Sequence, residues 1–415
     1  MSYLDLLKQH GRFLGFGLTL TFLSSFGQTY FIALFNDSLR DAFGLSHSEI
    51  GSYYSIATLA SGLTIAWLGQ KLDQVDLRAF TAALCGALGL AALGMGFVPS
   101  VGVLVVVFFL LRLTGQGLLS HTALTSMSRY FDETRGKAMS FASLGYPLGE
   151  AILPILVVGL VGVVGWRGTW IGIGLAVGLV AIPFTQFLLR GHGERHREHV
   201  GGTLSGTAHR DARSPGPSQR QWSRSEVLRD LRFPLMLPAV TAPGLIVTGF
   251  FFHQNHLVAT KAWSLQWFAT SFAIFALGQL ITGIAAGPLV DRFSGRRLMS
   301  VFTLPMAAGL TLLAVTDHAV VAAAFMLALG VTAGLQAPVV GSMWAELYGV
   351  RHLGAIRAMA TSIMVFGTAA SPALMGVLID RGVTMEAMAG ASALYAVLAS
   401  WGVWVAMRVR VGSTV

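Results

Sequence analysis

The chain has 415 residues, of which 54% are hydrophobic and only 11% are charged. Soluble globular domains carry charge on roughly a quarter of their residues, so this composition excludes a soluble globular protein. The net charge of +9 comes from basic residues spread along the chain and not gathered on one polar domain, which argues against a nucleic-acid-binding function.

Long apolar segments recur along the whole chain, and each could cross a bilayer core of about 30 Å as a helix. They are continuous and lack the alternation of polar and apolar residues that marks the strands of membrane barrels. We therefore predict an all-α polytopic membrane protein. Its twelve transmembrane helices are placed at 11–35, 48–70, 77–98, 101–128, 137–161, 167–189, 233–258, 266–287, 297–316, 319–343, 354–378 and 385–407.

Few residues offer enzymatic or metal chemistry. The single cysteine, Cys85, lies within an apolar segment, so there is no disulfide framework and no cysteine-based metal site. The first apolar segment is too long for a signal peptide and lacks a small-residue cleavage site. Because no nucleophile–base set and no phosphate-binding loop is found, we predict neither an enzyme nor an ATP-driven pump, and neither a cofactor nor a metal.

Residues 190–232 differ from their surroundings in composition. They hold nine arginines and almost no apolar residues, which predicts a mostly disordered linker whose arginines lie near anionic lipid headgroups. We expect its histidines, His192 included, to be solvated. At its end, Ser223 and Glu226 have the spacing of a capping box and predict a short surface helix.

The basic residues also predict the orientation. With the amino terminus in the cytoplasm, 23 of the 28 Lys and Arg residues lie in cytoplasmic segments and 4 lie outside, and Arg112 lies within a span. Positive residues are retained on the cytoplasmic side of membranes, so both termini and the linker are predicted to be cytoplasmic. We expect a monomer in the cell membrane, surrounded by lipid and with no nucleic-acid partner.

The two halves of the chain repeat one another at an offset of 218 residues. Gly69 then matches Gly287 and Asp73 matches Asp291, and later glycines and prolines also coincide. Repeated halves in the same orientation are a transporter architecture, with the substrate held between them. We predict six-helix bundles at 1–189 and 233–415, joined by the linker at 190–232.

Twelve spans, a central cytoplasmic loop, and a Gly-x-x-x-Asp loop with basic neighbours after spans two and eight resemble the major facilitator superfamily. The loop at 129–138 (RYFDETRGKA) further resembles the monocarboxylate-porter and oxalate/formate-exchanger branch. The resemblance implies two pseudo-symmetric six-helix halves that rock to give alternating access, driven by a proton or substrate gradient. We expect the two loops to form the cytoplasmic gate through Gly69, Asp73, Arg78, Gly287, Asp291, Arg292, Arg296 and Arg297.

Arg112 is the strongest candidate for substrate chemistry. It lies 11 positions after Val101, about 16 Å into the fourth span at the helical rise of 1.5 Å per residue. A guanidinium at this depth is costly and should face a cavity or a partner. It could anchor a substrate carboxylate, act with a proton-carrying acid, or form a purely structural ion pair.

Glu150 lies at a similar depth in the fifth span. A glutamate withdrawn from water can bind and release a proton near neutral pH, and a neighbouring arginine opposes this effect. Glu150 could therefore couple transport to protons, or it could form a permanent pair with Arg112. In the second half, Arg112, Glu150 and His121 are replaced by Gly330, Thr368 and Val339, as expected for residues that serve one asymmetric substrate.

Further polar residues within the spans are candidates for binding substrate or protons. In the seventh span, His253 and Asn255 belong to a polar cluster that could line a cavity or mark a break in the helix. In the first span, Gln28 and Tyr30 could orient a substrate or form helix-packing hydrogen bonds. Gln116 and His121 follow Arg112 in the fourth span and complete the set.

Two transport functions remain open. The first is a proton-coupled carrier of small organic anions of the carboxylate type. The alternative is a proton-antiport exporter of hydrophobic or cationic compounds, with Glu150 binding the cation. Residues 266–287 contain no charge, unlike the eighth span of the monocarboxylate-porter branch, so the branch alone does not decide between them. A receptor with a carrier-like fold is disfavoured because no additional soluble domain is present.

Overall fold

A computed structural model of the chain describes residues 3–68, 75–131, 134–193 and 221–409. These residues form helices and no strand. The amino-terminal part contains α1 (Tyr3–Leu23), α2 (Thr29–Ile32), α3 (Asn36–Phe43), α4 (His47–Leu68), α5 (Leu77–Gly96), α6 (Val101–Leu111), α7 (Ser120–Tyr130), α8 (Arg135–Ser143), α9 (Gly145–Ala176) and α10 (Ile182–Leu188). Short 3-10 segments occur at Ser24–Gly27 and Ala33–Phe35, and π-helical segments at Arg112–Leu119 and Val177–Ala181.

The carboxyl-terminal part begins with a short helix at the end of the predicted linker. Its elements are α11 (Arg224–Arg229), α12 (Arg232–Phe252), α13 (Gln254–Thr260), α14 (Leu265–Phe293), α15 (Gly295–Met299), α16 (Leu304–Val315), α17 (Val320–Tyr348), α18 (Leu353–Asp380) and α19 (Met385–Arg408).

Within the described residues, nine helical segments are long and apolar enough to cross a membrane, and ten if the bent pair Asp5–Gly27 and Thr29–Phe43 forms one span. One of them, Arg135–Leu188, is 54 residues long and contains the two predicted spans 137–161 and 167–189. Gly165, with a φ of +70°, breaks its helical geometry between them. α4 coincides with a further predicted span but is not among the nine. The prediction of an all-α polytopic membrane protein is confirmed.

The described chain divides into two compact units. The first comprises Met1–Phe43 and Ile56–Ser214, and the second comprises Gly44–Ser55 and Pro215–Val415. The predicted boundaries of the two bundles and the linker, like the internal repeat, stay predictions.

Several helices begin where a side chain caps the free backbone amides of the first turn. The Asp76 carboxylate accepts hydrogen bonds from the amides of Arg78 at 2.9 Å and Ala79 at 3.2 Å, which fixes the start of α5. The hydroxyls of Ser264 and Thr384 accept corresponding bonds at the starts of α14 and α19. An N-cap of this kind contributes about 1 kcal/mol to helix stability.

Glycines bring the long helices of each unit into backbone contact. A Cβ atom on Gly174 of α9 would lie 2.9 Å from the carbonyl oxygen of Gly89 in α5. In the second unit, a Cβ atom on Gly330 of α17 would lie 3.0 Å from the carbonyl carbon of Phe275 in α14. Small residues at helix contacts are how membrane helices associate without a hydrophobic driving force between them.

The end of the predicted linker docks on the second unit. α11 begins at the predicted capping box, in which Ser223 and Glu226 bond reciprocally, so that prediction is confirmed. The preceding Trp222 is buried, with its ring 5.5 Å from that of Tyr348. Burial alone would raise the pKa of Asp230, but hydrogen bonds from Arg232 hold that pKa below its usual value.

The start of the linker corrects one expectation. His192 is buried instead of solvated, with its ring 5.7 Å from that of Phe13 and 5.0 Å from that of Tyr130. These aromatic partners shield the imidazole from water. Residues 194–220, which include the other linker histidines, lie outside the described part of the chain.

A buried lysine in the α13–α14 connection of the second unit contacts two carboxylates from other parts of that unit. The Lys261 ammonium lies 2.5 Å from Asp317 Oδ1 and 2.9 Å from Glu386 Oε1, and its side chain is fully buried. Asp317 lies between α16 and α17, whereas Glu386 lies in the first turn of α19. Burial alone would lower the pKa of Lys261, but these two carboxylates hold it above its usual value.

Removing either carboxylate charge tests this cluster. We expect Glu386→Gln to lower the free energy of unfolding by about 1–3 kcal/mol, because a charged hydrogen bond to a buried ammonium is lost. Asp317→Asn should lower the free energy of unfolding by less, since the Asp317 side chain is 72% exposed and water screens its charge, whereas Glu386 is 32% exposed. Thermal denaturation of both purified variants in detergent measures the difference, and equal losses would contradict the assignment.

Cys85, the only cysteine of the chain, lies in the middle of α5. Its side chain is fully buried.

Candidate functional site

The first span is broken in its middle. The 3-10 segment Ser24–Gly27 ends at Gln28, whose φ of −77° and ψ of 150° are extended, and α2 begins at the next residue. The Gln28 carbonyl accepts hydrogen bonds from the amides of Phe31 and Ile32. A break of this kind leaves the neighbouring backbone carbonyl of Gly27 available to a side chain from another helix. Irregular backbone at membrane depth is found where it is enclosed by protein or lines a cavity.

The fourth span changes from α-helix to π-helix at Arg112. π-helical turns bond residue i to residue i+5, are rare, and frequently mark functional sites. Arg112 is buried, with 7% of its surface exposed, and its Nη1 atom donates to Gly27 O at 3.2 Å and to Thr29 Oγ1 at 3.3 Å. The guanidinium is thus held on the broken part of the first span.

Two glycines, Gly27 and Gly115, allow the first and fourth spans to come close to each other beside Arg112. A Cβ atom on Gly115 would lie 2.7 Å from the Cα and N atoms of Gly27, and a Cβ atom on Gly27 would lie 2.8 Å from the Cα atom of Gly115. Neither site can accept a side chain without moving backbone. The first and fourth spans therefore touch main chain to main chain beside the guanidinium.

Glu150 reaches the same part of the first span from α9. A Cβ atom on its neighbour Gly149 would lie 3.3 Å from the Tyr30 hydroxyl and would overlap the Ser25 hydroxyl. The Glu150 carboxylate interacts electrostatically with the phenols of Tyr30 and Tyr146. Its Oε2 atom is buried and has no hydrogen-bond partner among the described residues.

The site in the first unit therefore unites residues from three spans: Gln28 and Tyr30, Arg112 and Gln116, and Glu150. The Oε1 atom of Gln116 is also buried with no hydrogen-bond partner in the described chain. None of the ion pairs found among the described residues joins Arg112 to Glu150. His121 follows on α7 and its side chain is exposed. We call the set of Arg112, Gln116, Glu150, Gln28 and Tyr30 the polar cluster of the first unit.

His253 and Asn255 lie in the second unit, at a break between α12 and α13. His253 has non-helical dihedral angles, and its buried ring places Nε2 2.9 Å from the carbonyl oxygen of Pro372. Its ring is also 5.6 Å from that of His47, and Asn255 is buried. The structure thus shows the helix break that the sequence offered as one alternative. The role of these residues in binding stays a prediction.

The predicted gate residues are only partly described. Gly69 and Asp73 lie outside the described residues. Arg78 lies in the first turn of α5, where its carbonyl accepts a bond of 3.0 Å from Gln186 Nε2. Gly287, Asp291 and Arg292 lie along the exposed last part of α14, and Arg296 and Arg297 lie on α15. Their gating role stays a prediction.

Glu346 of α17 organises the second loop and was not foreseen from the sequence. Its carboxylate accepts hydrogen bonds from the backbone amides of Gly295 at 2.7 Å and Arg296 at 3.2 Å, and from the Ser342 hydroxyl at 2.8 Å. The Arg296 guanidinium donates to the carbonyl of Glu346. An acid at the end of a long apolar helix gives no local signal for a partner about fifty residues away.

No group of three or more His, Cys, Asp or Glu side chains is arranged to hold a metal ion in the described ranges. The chemistry of the polar cluster is instead that of hydrogen bonding and charge. A buried guanidinium can bind an anionic group, and a buried carboxylate can carry a proton.

Comparison with known proteins identifies the family. The sequence profile of the Major Facilitator Superfamily matches residues 17–271 and 244–413. The chain belongs to this superfamily. The prediction made from the two loops and the span count is therefore confirmed at the level of the superfamily.

Similar proteins carry the names of transporters. The chain is 27% identical over 176 residues to a probable L-galactonate transporter of Escherichia coli (strain K12), covering 41% of this chain and 36% of that protein. It is 29% identical over 273 residues to monocarboxylate transporter 13 of Rattus norvegicus, covering 64% and 58%. The chain thus spans about a third to three fifths of these relatives.

The fold is that of solved facilitators. The crystal structure of the nucleoside transporter NupG superposes with a TM-score of 0.67, covering 99% of this chain and 100% of that chain, at 15% identity. At this identity the likeness shows the fold alone.

Proposed function

We propose that the chain is a secondary active transporter that moves a small organic anion of the carboxylate type across the membrane by alternating access, coupled to protons. The observation that carries this proposal is the buried guanidinium of Arg112, held on the broken first span at a π-helical turn. Charged groups inside the membrane are costly and mark substrate and ion pathways. The names of the two relatives, a galactonate and a monocarboxylate transporter, support an anionic substrate.

Arg112 suits an anion because its fork of donors matches a carboxylate. A guanidinium presents five N–H groups in a fixed plane and can bind both oxygens of a carboxylate at once. The Nη1 atom of Arg112 donates to two neutral oxygens, the Gly27 carbonyl and the Thr29 hydroxyl. A bound anion would therefore add a charge-assisted contact, which is roughly twice as strong as a neutral hydrogen bond.

Glu150 is proposed to carry the coupling proton. Its Oε2 atom is buried with no hydrogen-bond partner in the described chain, and Tyr30 and Tyr146 lie within electrostatic reach. Protonation removes the charge and supplies a donor, so the two protonation states make different contacts with the first span. A conformational equilibrium shifts only through such differential contacts.

Transport by the purified protein in proteoliposomes tests the substrate class. We expect uptake of labelled L-galactonate or of a monocarboxylate such as pyruvate, stimulated by an inward proton gradient. Organic cations should be neither taken up nor able to compete. Transport of cationic compounds alone would overturn the proposal in favour of the exporter alternative, in which Glu150 binds the cation.

Replacing Glu150 by glutamine tests proton coupling separately. Glutamine imitates the protonated acid, so Glu150→Gln should abolish accumulation driven by a pH gradient. It should leave exchange of labelled for unlabelled substrate within about threefold of the wild-type rate, because that exchange needs no proton release (a threefold change corresponds to less than 1 kcal/mol). Glu150→Asp, which keeps a titratable group, is the matched control. Unchanged gradient-driven accumulation by Glu150→Gln would show that the proton travels elsewhere.

A further inference from the structure

A cavity of about 490 Å³ lies in the second unit. Its lining combines two arginines, two serines, an acid and an apolar wall: Ser294, Arg296, Arg297, Ser300, Glu346, Trp404 and Met407. These residues come from the α14–α15 junction, from α15 and the residue that follows it, and from α17 and α19. None of them belongs to the polar cluster, although Arg296 and Arg297 are also among the predicted gate residues.

The charge of this cavity is positive once its internal contacts are considered. Glu346 is engaged by the amides of Gly295 and Arg296 and pairs with the Arg296 guanidinium at 3.7 Å. Arg297 is exposed, and its guanidinium makes no hydrogen bond or ion pair within the described part of the chain. An uncompensated guanidinium therefore borders the cavity.

Part of the lining is aromatic, and a further positive charge lies beside it. The guanidinium of Arg408 stacks on the ring of Trp404, 3.4 Å from the ring centre. Trp401 and Trp404 are 61% and 44% exposed on the last turns of α19. Exposed tryptophans near the end of a membrane helix mark the level of the lipid headgroups.

The backbone at the cavity is held in a costly conformation. Ser294, one of the lining residues, has a φ of +69° although it is not glycine. Strain of this kind costs of order 1–3 kcal/mol and clusters at binding sites and switch regions. It turns the chain sharply between α14 and α15 and brings Arg296 and Arg297 to the cavity.

We propose that this cavity binds the phosphate headgroup of an anionic phospholipid. The Arg297 guanidinium would bind the phosphate, Arg408 on Trp404 would add positive charge, and Met407 and the tryptophan face would contact the glycerol and the first part of the acyl chains. Basic pockets at the cytoplasmic ends of membrane helices bind anionic headgroups in this way. The charge distribution of the chain predicts that this end of the protein is cytoplasmic, where such lipids are abundant.

Lipid-dependent thermal stability of the full-length protein in detergent tests the proposal. The melting temperature is followed as phosphatidylglycerol is added, in parallel with phosphatidylcholine of the same acyl chains. We expect stabilisation by phosphatidylglycerol and little by phosphatidylcholine. Arg297→Gln should raise the half-maximal phosphatidylglycerol concentration about fivefold or more, the effect expected for one basic residue near anionic lipid.

Arg351→Gln is the matched control, because Arg351 is also exposed and is predicted to lie on the same side but does not line the cavity. It should leave the half-maximal concentration within about twofold of wild type, less than the effect of one basic contact. An equal rise of the half-maximal concentration in the two variants would overturn the site and would indicate diffuse electrostatic attraction between lipid and protein. Equal stabilisation by phosphatidylcholine would also overturn it. Protection by glycerol 3-phosphate at the same concentrations as the lipid would reassign the cavity to a soluble phosphate ester.

Discussion

Replacing Arg112 by glutamine is expected to lower the initial rate of organic-anion uptake by about 10- to 100-fold at low substrate concentration. The range follows from a charged hydrogen bond, which contributes about 1.5–3 kcal/mol. Glutamine removes the charge, and its shorter side chain does not reach Gly27 O and Thr29 Oγ1, which accept from Arg112 Nη1. Uptake is therefore compared per folded molecule, which separates the loss of substrate binding from a loss of stability. Arg112→Lys keeps the charge without the planar fork, so it should raise the KM but retain transport at saturating substrate.

Arg167 provides a matched control for this experiment. It is another arginine of the first unit whose Nη1 atom donates to backbone carbonyls, those of Gly96 and Val98, both at 3.1 Å. We expect Arg167→Gln to lower the melting temperature while leaving the KM for the anion unchanged. If both variants lost uptake only in proportion to their loss of folded protein, Arg112 would have only a structural role.

Introducing a methyl group at Gly27 is expected to damage both stability and transport. The new Cβ atom would lie 2.8 Å from the Cα atom of Gly115 and still closer to the carbonyl of Leu111, so backbone must move. Overpacking of this kind costs about 1–3 kcal/mol. Displacement of Gly27 also moves the carbonyl that accepts from Arg112. We therefore expect Gly27→Ala to reduce uptake by more than the loss of folded protein explains.

Gly86→Ala separates this effect from the general properties of alanine. Gly86 lies within α5, and a Cβ atom there would meet nothing within 4 Å. Alanine favours helix over glycine by roughly 0.5–1 kcal/mol, so Gly86→Ala should be neutral or slightly stabilising. Melting temperatures from size-exclusion chromatography after heating, together with uptake per folded molecule, give both measurements. Similar behaviour of the two variants would mean that the first and fourth spans do not touch as described.

The sequence predicted the membrane class and the family, because these follow from hydrophobicity, charge and spacing. It could not predict that Arg112 bonds to the first span. That contact depends on a π-helical segment and on the extended Gln28, and neither has a sequence signal as strong as a proline. Gly27 and Gly115, which make the contact possible, look like ordinary membrane glycines until their distance is known.

Local rules succeeded where the partners are close in the chain and failed where they are distant. The capping box at Ser223 and Glu226 spans three residues and was predicted. His192 was expected to be solvated because its neighbours are polar, yet it packs on Phe13, which is far away in the sequence. Glu346 was missed for the same reason, since it caps a loop about fifty residues before it.

The single buried cysteine has a practical consequence. Cys85 is the only native thiol, and it is enclosed within α5. An exposed thiolate attacks thiol reagents readily, whereas a buried thiol does not, so Cys85 should react slowly in the folded protein. Pairs of cysteines introduced at exposed positions could then carry spin or fluorescent labels with little background. Distances between such labels would report the motion of the protein during a transport cycle without any prior removal of native cysteines.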